Sequence, residues 1–299
     1  MARPPGVREG RHAAALRSAG TGACLLLCML AAAAAGACRT NPSRPLVVSL
    51  AETAGPPVRN AEFLDSYPRV LAVAADLIRR ELQIPPLAVS LELYADQGAF
   101  ETGLVRNGYD PAFARETAAT MGAIGGHRRV LVNQGAFTGW SWAARTGLVA
   151  HELGHVVQYE LGGGTRGTSD QWIREGFAEW LASRVLEELR LGSLSTARRA
   201  HRRIVERIGT DRLPRLSDMV TFRDWVGLQT AGRGAGVYSL AFLAVDDLVT
   251  RHGSGAFVRY FRLFASSGDR AANFQTAFGT SLEAFERGFF ERLAGGLDR

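Results

Sequence analysis

The chain has three cysteines, no lysine, and no long apolar run beyond its first forty residues. Each absence narrows what it can be. Cys24, Cys28 and Cys38 all lie near the N-terminus, so a domain starting after residue 37 keeps at most one of them and forms no internal disulfide. Such a domain is held by its core alone, and roughly 260 residues can supply one. No internal repeat, heptad pattern or polar low-complexity tract is present, which excludes a repeat array, a coiled coil and a disordered chain. The formal charge is +6, and removing the four arginines and one glutamate of the first 37 residues leaves +3. A small excess of scattered arginine reads as a solvated surface, so no nucleic-acid partner is expected.

What is present begins with a signal. Arg3, Arg8, Arg11 and Arg17 precede an uncharged apolar run from Ala23 to Ala35, too short for a comfortable membrane span and followed by Gly36-Ala37-Cys38. Residues 1–37 are therefore expected to be a secretory signal. Small residues before a cysteine also match a bacterial lipoprotein processing site, with Cys38 lipidated as a membrane tether; simple cleavage after Ala37 fits as well. Either way the domain is exported. Residues 38–60, with Pro42, Pro45, Pro56 and Pro57, read as a tether containing a short strand at Leu46-Val47-Val48.

Residues 61–299 read as an α+β domain. Its first lobe, about 61–161, combines a helix from Glu62 to Leu82 with an antiparallel sheet. Leu87, Val89, Leu91 and Leu93 alternate with more polar neighbours, and two further strands fall near Met121–Ile124 and Arg129–Val132. The second lobe, about 162–299, is mainly helical. Helical periodicity runs through Gln171–Leu189, Ser195–Ile208, Val237–Thr250, Ser254–Ala265 and Ser281–Leu293. Ser169 or Asp170 is expected to cap the first of these, and Thr280 with Glu283 to form a capping box at the last. Gly232-x-Gly234-x-Gly236 lacks the strand-loop-helix setting of a phosphate loop and reads as a flexible connection.

The chemistry sits at Val149-Ala150-His151-Glu152-Leu153-Gly154-His155-Val156-Val157-Gln158. On a helix, positions four apart share a face, so His151 and His155 can offer imidazole nitrogens to one ion with Glu152 beside them as a base. Chance alone produces His-Glu-x-x-His in about one chain in a hundred of this length, so the pattern needs support. A catalytic zinc takes three protein ligands and keeps a position open. Glu175 supplies the third, twenty residues past His155 and beyond the turn Gly162-Gly163-Gly164. Glu179, one helical turn further, can accept the second N–H of a ligand histidine.

At His-Glu-Leu-Gly-His-Val-Val-Gln and Trp-Ile-Arg-Glu-Gly-Phe-Ala-Glu-Trp the chain resembles the gluzincin metallopeptidases, with their thermolysin-like active-site arrangement. It is most similar to the bacterial peptidase MA-like proteins. The resemblance extends more weakly to Phe274-x-x-Ala277-Phe278-Gly279 and Ser281-Leu282-x-x-Phe285. It implies a zincin fold with the site between the lobes, one zinc on His151, His155 and Glu175, Glu152 as general base, and a peptide or protein substrate. Related enzymes place a tyrosine after the glutamate ligand as oxyanion donor, which points to Tyr238. That residue also shares a helical face with Phe242, Val245 and Val249, as a core residue would. The Gly-x-Met-Glu-Asn stretch of the related aminopeptidases is absent, which favours internal cleavage. Substrate is expected to pair with a sheet edge at Val130–Asn133. Two alternatives stand beside the peptidase: a non-catalytic zinc-binding envelope lipoprotein on the same fold, and a zinc amidase acting on a non-protein amide.

Overall fold

The computed structural model describes residues 45–50 and 64–295. The expected signal, Cys38 and most of the tether lie outside them. Within the tether stretch, Leu46–Ser49 forms strand β1. It pairs antiparallel with β2, Ser90–Tyr94, the strand that the alternating leucines mark. Helix α1, Tyr67–Leu82, starts five residues later than its apolar spacing suggested, with Ser66 as N-cap and Pro68 in the first turn. Its buried stripe of Val70, Val73, Ala74 and Ile78 lies in the main core with Leu91, Leu93, Val130 and Val132.

The sheet is mixed, not antiparallel. Its order is β1-β2-β4-β3, where β3 is Ala123–Gly126 and β4 is Arg129–Asn133. β3 and β4 form the expected antiparallel hairpin, but β2 and β4 run parallel. Parallel neighbours need a crossover, and here two unforeseen helices provide it: α2, Gln97–Arg106, and α3, Pro111–Thr120. Asp96 and Asp110 start them, each accepting backbone N–H groups of the first turn. Together they cover the second face of the sheet: Tyr94 and Leu131 pack with Phe100, Leu104, Ala114 and Ala118.

The pairing also moves the edge. β4 lies between β2 and β3, so Val130–Asn133 is an interior strand and β3 is the edge on that side. Asn133 N–H donates to the Gly122 carbonyl. By the alternation of an antiparallel ladder, the backbone groups of Ala123 and Gly125 therefore point away from β4.

Helix α4, Trp142–Leu161, is started by Ser141 Oγ accepting from Ala144 N–H, and it packs on β3 and α1. The glycine turn follows. Helix α5, Gln171–Glu188, then doubles back against α4, and α8, Gly234–His252, lies against α5 on its other side. Around them stand α6, Leu194–Ile208, the short α7, Phe222–Leu228, α9, Ser254–Leu263, α10, Arg270–Phe278, and α11, Leu282–Gly295. The described residues thus hold eleven α-helices and one four-stranded sheet. Phe177, Phe257, Phe261, Phe274, Phe278, Phe285 and Phe289 fill the space among these helices, in one core with the sheet, each burial contributing about 1.5–3 kcal/mol. Ser281, not Thr280, caps α11 by accepting from Ala284 N–H. The glycine-rich connection is also reassigned: Gly234 and Gly236 belong to α8, and only Gly232, at φ 76°, breaks the helical path.

Candidate metal centre

Helices α4 and α5 cross closely because their contact residues are small. An added Cβ on Gly154 would sit 2.8 Å from Ala178 Cα, and one on Gly125 of β3 would sit 2.2 Å from the Glu152 carbonyl oxygen. Sheet edge, histidine helix and glutamate helix are thereby drawn together. The first N–H groups of α5, on Gln171 and Trp172, donate to the Val220 and Met219 carbonyls. Asp170 stands at the N-cap but makes no side-chain cap, because its carboxylate pairs with Arg270 instead.

The structure brings His151, His155 and Glu175 together, with one donor atom from each inside a 4.8 Å span. His151 Nε2 lies 3.4 Å from Glu175 Oε2, and His155 Nε2 lies 3.6 Å from Glu175 Oε1. Ligands on a tetrahedral ion at about 2 Å sit about 3.3 Å apart, so these spacings suit zinc. The rear nitrogens are both engaged. His151 Nδ1 meets Glu179 Oε2 at 3.2 Å, and His155 Nδ1 meets Gln158 Oε1 at 3.2 Å. Gln158 Nε2 donates to the Arg174 carbonyl at 2.8 Å, so its oxygen must be the atom facing His155. With these partners each imidazole would keep its proton on Nδ1 when a metal binds and direct the Nε2 lone pair at the ion. His151 Nε2 is buried there without a hydrogen-bond partner. A buried polar atom left unpaired is costly, and a metal ion would satisfy it.

The electrostatics follow from burial competing with charge. Burial alone would lower the His151 pKa, but Glu175, Glu179 and Glu152 carry it well above the ordinary histidine value. Burial raises Glu175, yet His155 and His151 hold its carboxyl far below the usual range. Glu179 is likewise held down by His151 against its own burial. Glu152 differs. It is 2% exposed, and burial raises its pKa against the pull of His151 and His155, while the Gly125 backbone N–H favours the ionised form.

Tyr238 projects from α8 with its ring edge-on to Trp225, 4.8 Å between centroids. Burial raises its pKa well above the ordinary tyrosine value, and the charges of Glu175 and Glu152 add to the rise, so the hydroxyl stays protonated. Several contributors escaped the sequence reading. Gln158 and Gln171 sit three residues after His155 and four before Glu175, helical spacings that could have marked them. His201 had no local signal. It comes from α6, is buried, and places Nε2 3.9 Å from Glu179 Oε1 and Nδ1 3.2 Å from Ser239 Oγ.

Comparison with models of protein families, with curated proteins and with solved structures returned no match.

Proposed function

We propose that the chain is an exported zinc metallopeptidase of gluzincin type, most similar to peptidase MA-like proteins, that cleaves internal peptide bonds. The observation that carries this is the pair of histidines with both Nδ1 atoms engaged and both Nε2 atoms converging on a buried carboxylate, with Glu152 beside them. His151, His155 and Glu175 would hold one zinc, and the chain would be exported, either tethered by a lipidated Cys38 or released by cleavage after Ala37.

Bound zinc supplies a Lewis acid that polarises the scissile carbonyl and lowers the pKa of water toward about 7. The protein's own groups do the rest. A substrate strand pairs with the edge of β3 through the Ala123 backbone groups, while the Gly125 N–H on the same side stays with the Glu152 carboxylate. Glu152, a stronger base than an ordinary carboxylate because of its burial, takes a proton from the attacking water and returns it to the leaving amine nitrogen. Tyr238 donates its hydroxyl hydrogen to the developing oxyanion.

The test uses the purified chain, metal analysis and a peptide-library cleavage assay, run beside Glu152→Gln and with bacterial cell-wall fragments, a source of non-protein amides, as a second substrate set. One zinc per chain is expected, with peptide cleavage that a chelator removes and Glu152→Gln abolishes while keeping the metal. Identical peptide maps for the zinc-loaded wild type and variant would refute the peptidase reading and leave a zinc-binding protein. Cleavage of wall fragments alone would leave an amidase.

A further inference from the structure

A carboxylate ligand can offer a metal one oxygen or two, and the choice sets how many positions remain for water and substrate. We propose that Gln171 limits Glu175 to one oxygen, acting as a positioning residue whose own amide is set by Arg166. This rests on the metal centre described above. Gln171 Nε2 donates to Glu175 Oε1 at 2.7 Å, and both side chains are buried. The helix provides the reach, since residues 171 and 175 stand four apart on one face of α5. Both oxygens face the histidines, Oε2 at 3.4 Å from His151 Nε2 and Oε1 at 3.6 Å from His155 Nε2; the hydrogen bond engages Oε1 and leaves Oε2 as the oxygen with its lone pairs free for the ion.

An amide can flip, and a flipped Gln171 would turn its oxygen on the carboxylate. Arg166 prevents this. Its guanidinium donates to Gln171 Oε1, and because arginine has only donors, the amide oxygen must face it and the NH2 must face Glu175. Arg166 belongs to the connection between α4 and α5, and its carbonyl is gripped by Arg174 Nη1 at 2.7 Å. Arg174 is buried and uses its other face for Gln158: the Arg174 carbonyl orients the glutamine behind His155. One short loop and one buried arginine thus orient both glutamines, one behind a histidine ligand and one behind the glutamate ligand.

The measurement is zinc affinity by chelator competition, with the visible spectrum of the cobalt-substituted protein as a report of coordination number. Wild type, Gln171→Leu, Arg166→Ala and Arg166→Lys are compared. Leucine keeps the volume and removes the donor, and Arg166 is exposed, so its variants leave the core untouched. Gln171→Leu should bind zinc about 10–100-fold more weakly, the range for losing a group that orients a ligand. Its cobalt bands should weaken as the second carboxylate oxygen enters. Arg166→Ala should move both readouts the same way by less, and Arg166→Lys should restore them. Wild-type affinity and spectrum in both Gln171→Leu and Arg166→Ala would overturn the role. If Gln171→Leu does not fold, Arg166→Ala decides alone. A wild type that binds no zinc would overturn the metal centre itself, a result the variants cannot mimic.

Discussion

Gly176→Ala asks whether close helix approach, rather than helix propensity, governs the middle of α5. An alanine Cβ there would sit 2.3 Å from the Ala241 carbonyl oxygen and 2.7 Å from Val245 Cγ2, both on α8. Ordinary contact lies near 3.5 Å, so the helices would have to part by about 1 Å. Overpacking of this kind costs about 1–3 kcal/mol, and backbone contact places it near the top of that range. Replacing a helical glycine by alanine returns about 1 kcal/mol. The net expectation is a loss of about 2 kcal/mol, or about 4–8 °C in melting temperature for a domain of this size. The control is Gly227→Ala on α7, where an added Cβ meets nothing within 4 Å. It should gain about 0.5–1 kcal/mol. Thermal unfolding followed by circular dichroism reads both. The signs must be opposite: a Gly176→Ala protein as stable as wild type would refute the packing account. Because Gly176 directly follows Glu175, its zinc affinity should fall as well.

Further tests address single groups. Tyr238→Phe should leave zinc affinity unchanged and lower kcat about 10²–10³-fold with little change in KM; unchanged turnover would make Tyr238 a core residue. Burial pushes His201 down to about 4, against the opposing charges of Glu179 and Asp246. An unfolded histidine titrates near 6.5, so between these pH values the unfolded chain binds more protons and acid favours unfolding. His201 should therefore remove about 3 kcal/mol of stability as pH falls from 6.5 to 4. Denaturant unfolding of His201→Gln should show a shallower loss over that window, and an identical slope would contradict the assignment.

The distance between what could be read and what could not follows the range of the interactions. His151, Glu152 and His155 were legible because helical periodicity is local, and three or four residues suffice to define a face. Glu175 and Glu179 were legible because a glycine turn between two apolar helices leaves few ways to fold back. Gln158 and Gln171 stood at readable spacings, but an amide has no chemistry that marks it until a partner is in place. The closing helices were readable too, since the spacing of Phe285, Phe289 and Leu293 needs only one core to face.

The sheet was not legible in the same way. Alternating leucines announce a strand and one buried face, but the partner of that strand is a contact across the chain. Two short helices with modest periodicity turned β4 parallel to β2, buried Tyr94 and Leu131 on the second face, and left β3 as the edge beside Glu152. His201 reached Glu179 from a helix more than twenty residues away by packing alone. The sequence by itself determined that His151, Glu152 and His155 stand as a set on one turn of a helix, because that spacing is local geometry. Only the tertiary structure decided which strand borders that set and which buried groups hold its atoms in place, because those contacts exist only once distant segments have packed together.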